Sequence, residues 1–149
     1  MEVNHVANFV LYVKKVEEVT NTAIANLDQY LSALKSRHDF FATMGCNVSD
    51  HGLEEVYADA YTQKEVEAIF EKALSGIDLN IVEQRKFKSA MLLQFAIWDW
   101  EKGWIQQYHL GALRNNNTRM LQQLGPDTGS PNLAYPLSFA NTSGSPGSM

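Results

Sequence analysis

The chain has 149 residues, 45% of them hydrophobic and 19% charged, with a formal net charge of −5. That is the size of one domain that can bury its own core, and a single cysteine, Cys46, excludes a disulfide scaffold and a cysteine-based zinc site. A pI near 5.3 excludes the basic face of a nucleic-acid binder and an electrostatic anchor to anionic membranes.

In chain order, Val3, Val6, Ala7, Val10, Val13 and Val16 fall three or four apart and predict a helix over residues 3–19. β-branched valines are poor intrinsic helix formers, so packing must hold it. A second helix is expected from Leu27 to Thr43, with Leu27, Leu31, Leu34, His38 and Phe41 on one side and Gly45 as its stop. Cys46–Asp50 reads as a short strand. Thr62-Gln-Lys-Glu65 is a capping box, and Val66, Ile69, Phe70, Ala73 and Leu74 follow as a buried face that ends at Ser75-Gly76. Asp78 is placed to cap a long helix that runs to about Lys102. Its later half is apolar on several sides, which predicts burial inside a larger structure. Trp104–Leu110 is a second strand, and a short helix is expected near Thr118–Leu124. Trp98, Trp100 and Trp104 read as core residues.

From Ser130 to Met149 the composition turns to Ser, Pro, Gly and Asn, so the domain is expected to cover 1–129, with 130–149 a disordered tail. The densest apolar stretch, Ala90–Trp98, is broken by Gln94 and falls short of the roughly 20 residues a spanning helix needs. Glu2 ahead of the first apolar residues and Lys14-Lys15 behind them do not make a signal peptide. The expectation is a cytoplasmic protein with no membrane partner.

Strands that alternate with helices imply parallel pairing through helical crossovers. Two parallel strands alone do not make a stable sheet, and a complete (β/α)₈ barrel needs about 250 residues. The fold class is therefore α/β: a helix-rich partial segment of a larger fold, with about two short parallel strands.

Candidate chemistry sits at the strand ends. Alternation puts Ile105, Gln107 and His109 on one face of the second strand and Trp104, Gln106, Tyr108 and Leu110 on the other. An imidazole at the C-terminal end of a parallel strand stands where α/β enzymes bind substrate and metal. A satisfied structural histidine is the bland alternative. Arg114, in the loop Gly111–Arg119 with three consecutive asparagines from Asn115, can grip a carboxylate through two hydrogen bonds, or be a solvated arginine in a polar turn. On the first strand Asp50 shares a face with Cys46 and Val48, while His51 shares one with Asn47 and Ser49. Asp50 and His51 are candidates for metal ligation, orientation or general acid–base work, against a simple capping role. His5 and His38 read as helix-surface or packing residues.

Tyr108-His-Leu-Gly-Ala-Leu-Arg-Asn-Asn-Asn-Thr-Arg-Met120, followed by Leu124-Gly-Pro-Asp-Thr-Gly129, resembles the uronate (glucuronate) isomerase family. Cys46-Asn-Val-Ser-Asp-His-Gly-Leu53 and Leu34-Lys-Ser-Arg-His-Asp-Phe-Phe41 are similar to earlier stretches of that family, in the same order and spacing. The resemblance covers roughly residues 5–129 and implies a middle segment of a (β/α)₈ TIM barrel of the amidohydrolase superfamily. It implies aldose–ketose isomerisation of hexuronates, D-glucuronate to D-fructuronate and D-galacturonate to D-tagaturonate. By that likeness Asp50, His51 and His109 are catalytic, with His109 at or beside a divalent metal such as zinc. Arg114, Asn115 and Gln107 would contact substrate. The family's H-x-H metal pair is not found in this sequence, so the ligand set is incomplete. Ser130-Pro-Asn-Leu replaces the family's continuation after Gly129, which leads to the expectation of a truncated or frame-shifted frame with Met1 internal. The isolated chain is expected to be inactive and to self-associate or homo-oligomerise through surface that neighbours would cover. The alternative is a non-catalytic remnant or a small helical interaction module.

Overall fold

The computed structural model describes residues 5–111 together with Arg119, Gln122 and Gln123. Six elements follow in the order α1 (Val6–Thr20), α2 (Leu27–Thr43), β1 (Val48–Leu53), α3 (Gln63–Leu74), α4 (Ile81–Lys102) and β2 (Ile105–Leu110). β1 and β2 pair in parallel, as the alternation of strands and helices predicts.

Local chemistry fixes most of the helix ends. Asn26 caps α2 by accepting the amide of Gln29 at 2.9 Å, and Gly45, at φ 86, turns the chain out of it. The Thr62–Glu65 capping box starts α3. The start of α4 differs from expectation: Asn80, not Asp78, is the cap, in a second capping box with Glu83. Asp78 stands two residues too early for its side chain to reach the amide of the third helical residue. Of the helix expected near Thr118–Leu124, the described Arg119, Gln122 and Gln123 are helical. The domain boundary expected at 129 and the tail behind it lie outside the described residues.

The core lies among the helices, not against the sheet. The Phe9 ring meets Tyr30, Phe70 and Phe87 edge-on, with centroids 5.7–6.0 Å apart. Val13, Val66, Ala73 and Met91 close around them, and no strand residue joins this cluster. The buried face of α2 is Leu27, Tyr30 and Ala33, whereas Phe41 is exposed. The face is rotated from the expected stripe because the aromatic centre recruits Tyr30. Of the three tryptophans Trp98 is core, Trp104 is half-buried and Trp100 is 82% exposed. Leu93 and Ile97 share the exposed side of α4 with Trp100, so the described residues cover only part of the apolar surface of its later half.

β2 ends at Leu110 as expected, whereas β1 starts later than Cys46 and extends further toward the C-terminus than its sequence pattern suggested. β1 was expected to stop at Asp50, but runs through Gly52 to Leu53 because β2 offers a continuous ladder. Ile105 N–H donates to Asn47 C=O at 2.9 Å and Gly111 N–H to Leu53 C=O at 2.8 Å, so pairing continues past both ends.

Candidate active site

The pleat divides the sheet into two chemical surfaces. Val48, Asp50 and Gly52 share one face with Ile105, Gln107 and His109, and this face is exposed. Ser49, His51 and Leu53 share the other with Gln106, Tyr108 and Leu110, on the side of α4.

On the open face His109 stands opposite Gly52, which has no side chain, and its ring leans back toward Asp50. Nδ1–H donates to Asp50 Oδ1 at 2.7 Å. The Gln107 amide donates to His109 Nε2 at 3.2 Å. In the tautomer this arrangement accommodates, the proton is on Nδ1 and the lone pair on Nε2. A carboxylate behind Nδ1 orients the ring and stabilises the imidazolium formed when Nε2 takes a proton. Both partners are about half exposed, at 49% and 55%. The group is therefore accessible to a ligand.

The other face is a structural network. Asp99, 3% exposed on α4, accepts from Ser49 Oγ at 2.6 Å, from Gln106 Nε2 at 3.0 Å and from His38 Nε2 at 3.0 Å. The His38 ring lies 4.2 Å from that of Trp104. His51 stacks on Phe95 at 5.8 Å with ring planes 7° apart. Burial pushes the His51 imidazole below its ordinary pKa, against an opposing pull from Asp99 and Asp50.

Asp50 thus comes together with Gln107 and His109, which the alternation had put on one face of β2. His51 does not join them: its imidazole lies across the sheet from the Asp50 carboxylate, although both residues line a cavity of about 360 Å³ beside the end of β1. Arg114 and Asn115 lie outside the described residues. His38 is a packing residue, as expected, but one committed to a buried carboxylate.

A catalytic zinc takes three protein ligands and leaves one position open. Among the described residues no three His, Cys, Asp or Glu side chains converge to hold a metal ion. His109 Nε2, oriented by Asp50 behind Nδ1, could supply one imidazole ligand, and the described residues do not supply the other two.

Two groups escaped the sequence reading. Asp99 sits between Trp98 and Trp100, and Lys88 lies in the run Phe87-Lys-Ser-Ala-Met91. A charge inside an apolar stretch was the available signal, because such a group must find a partner when buried. Lys88 is 5% exposed, and its ammonium donates to Tyr57 Oη at 3.0 Å and to Glu54 Oε2 at 3.3 Å. Glu54's carboxyl is pulled down to about 2, first by the Tyr57 hydroxyl, then by a backbone amide and by Lys88.

Known proteins share this sequence and fold. The profile of the glucuronate isomerase family matches residues 1–137. The chain is 54% identical over 129 residues to the uronate isomerase of Bacteroides thetaiotaomicron, which covers 87% of this chain and 28% of that protein. It is 53% identical over the same length to the uronate isomerase of Phocaeicola vulgatus, with the same coverage of each. The chain thus spans little more than a quarter of these curated relatives. The crystal structure of uronate isomerase from Thermotoga maritima superposes with a TM-score of 0.71 at 36% identity, over 81% of this chain and 27% of that one. Glucuronate isomerase from Caulobacter crescentus gives 0.65 at 27% identity, over 79% and 24%. This chain belongs to the glucuronate isomerase family.

Proposed function

We propose that the chain acts as a segment of a hexuronate isomerase that interconverts aldose and ketose forms, D-glucuronate with D-fructuronate and D-galacturonate with D-tagaturonate. One observation carries this reading: Asp50 and His109 meet at 2.7 Å on the open face of two parallel strands, near their C-terminal ends. In a (β/α)₈ barrel one set of alternate residues faces the helices and the other faces inward, and active sites gather at the C-terminal ends. β1 and β2 would be two neighbouring barrel strands, with the Asp50 face turned inward.

Isomerisation moves a proton between C1 and C2 of the sugar, and so needs a group that holds and returns it. His109 Nε2 fills that role, with Asp50 behind Nδ1 and Gln107 held against Nε2 until substrate displaces it. Arg114 and Asn115 would bind the distal carboxylate. His51, on the helix side, supports β1 from behind. The substrate is thus a small sugar acid, with no nucleic acid or membrane partner. No helix among the described residues is long and apolar enough to cross a membrane, which is compatible with the proposed cytoplasmic location. The incomplete set of catalytic groups implies that the 149-residue chain alone turns over little or no hexuronate.

A chimera tests this. Residues 1–129 replace the aligned stretch of the Bacteroides thetaiotaomicron enzyme, and turnover of both hexuronates is measured. The chimera is expected to isomerise them, with H109N and D50N each lowering kcat by about 10²–10⁴-fold. An active chimera indifferent to both substitutions would sink the assignment.

A further inference from the structure

The connection from β1 to α3 is tied to α4 by an array that the proton-transfer pair does not use. Arg85 bridges Glu55 and Asp59, with Nε donating to Asp59 Oδ1 at 3.1 Å. Lys88 holds Glu54 and Tyr57, and its ammonium lies 4.5 Å from the centre of the Tyr57 ring. Ser89 Oγ accepts the amide of Asp59 at 3.0 Å. Three α4 residues within one turn therefore grip the connection at four of its side chains and one backbone amide.

The gripped segment divides two cavities. Glu54 and Tyr57, with Lys88, line the 360 Å³ cavity whose floor is Asp50, His51 and Gly52. Val56, Tyr57 and Asp59 line a second, of about 440 Å³, that reaches Tyr108 and Leu110 at the end of β2. Moving the segment changes the shape of both. A connection that serves only as a linker does not need a nearly buried ammonium, which costs desolvation free energy unless it is paired. Lys88 offsets that cost by ordering a carboxylate and a phenol beside the strand that carries Asp50.

We propose that Lys88 and Arg85 are positioning residues, which fix the 54–59 connection where it leaves the C-terminal end of β1, the end at which the sugar acid binds in the isomerase reading. This rests on the isomerase reading above. The clamp acts on substrate binding through the position of this connection and touches no reacting atom, so its loss raises KM more than it lowers kcat.

Two measurements test it. In the full 149-residue chain, amide exchange is followed by NMR in K88M and in E54Q. E54Q removes a charge from a mostly exposed residue and leaves no cavity, so it keeps the test open if K88M fails to fold. Exchange at 54–59 is expected to speed up roughly tenfold, with α1 and α2 unchanged. In the chimera, K88M and E54Q should raise KM roughly tenfold and hold kcat within about twofold, with K88R recovering part of the loss. Unchanged exchange at 54–59 overturns the proposal, and so does an active chimera whose KM is unmoved. If the unsubstituted chimera has no activity, the isomerase reading fails by itself and the exchange rates alone decide the clamp.

Discussion

Asp99 accepts from Ser49, Gln106 and His38, and so joins β1, β2 and α2 to α4 through one carboxylate. Its own carbonyl takes the amide of Trp104 at 2.8 Å, where the chain turns from α4 into β2. Removing the carboxylate strands three partly buried donors at once, which costs more than the hydrogen bonds are worth individually. Asp99→Ala is expected to lower the unfolding free energy by about 3–5 kcal/mol, read from urea melts at neutral pH. A loss under 1 kcal/mol would show that the network is dispensable. At this scale the sequence was half legible. Strand alternation grouped Asp50 with Val48 and His109 with Gln107, since one residue's direction fixes the next, but which face lies open was set by the packing of α4. Asp99 was not legible, because its partners lie 50 and 61 positions away on β1 and α2 and only tertiary structure brings them together.

Helices α3 and α4 exchange support through their capping boxes. Glu65, which closes the box on α3, pairs with Lys86 of α4. Glu83, which closes the box on α4, pairs with Lys72 of α3 at 2.8 Å. Each carboxylate therefore serves a helix start and an interhelical ion pair together. The Lys86 ammonium, with the Thr62 amide and hydroxyl, holds Glu65 at about 2, against an ordinary 4.5. Lys72 and the Asn80 amide lower Glu83 in the same way. A carboxyl depressed in the fold adds stability that is complete above the unfolded value and lost as pH falls through the folded one. The thermal midpoint should therefore drop from about pH 4.5 toward pH 2, and the E65Q/E83Q double variant should show a shallower drop. Equal slopes in calorimetry would remove these two groups from the acid transition. The start of α3 was legible because its capping box is written within four residues, whereas the same box at Asn80–Glu83 was passed over for Asp78, and the limits of β1 were not legible because its length is set by β2.

Across the whole molecule the apolar surface is uneven. The helical core is closed, but Ile105 is 68% exposed on the open sheet face and Trp100 is 82% exposed on α4. β1 and β2 pair only with each other, so each keeps an unpaired edge among the described residues. Open edges beside exposed apolar residues favour association with further strands and with copies of the same chain. Sedimentation of the 149-residue chain is expected to show concentration-dependent self-association, weakened by I105K or W100K. A monomer at all concentrations would mean that these surfaces are covered. The helix–helix–strand–helix–helix–strand order was legible from periodicity and punctuation. Which helical face meets the core was less so, because Tyr30 and Phe87 are drawn in by a shared aromatic centre that no single helix encodes.

The parallel register pairs Val48 with Ile105 and Leu53 with Leu110, so the strands meet across the whole of α3 and α4. In kinetic terms this is a large loop to close, and its entropy is recovered only after the intervening helices have docked. Asp50 and His109, 59 positions apart, meet only once that loop is closed. The pair is therefore a reporter of register: a one-residue slip of β2 against β1 turns His109 to the helix side, away from its partner.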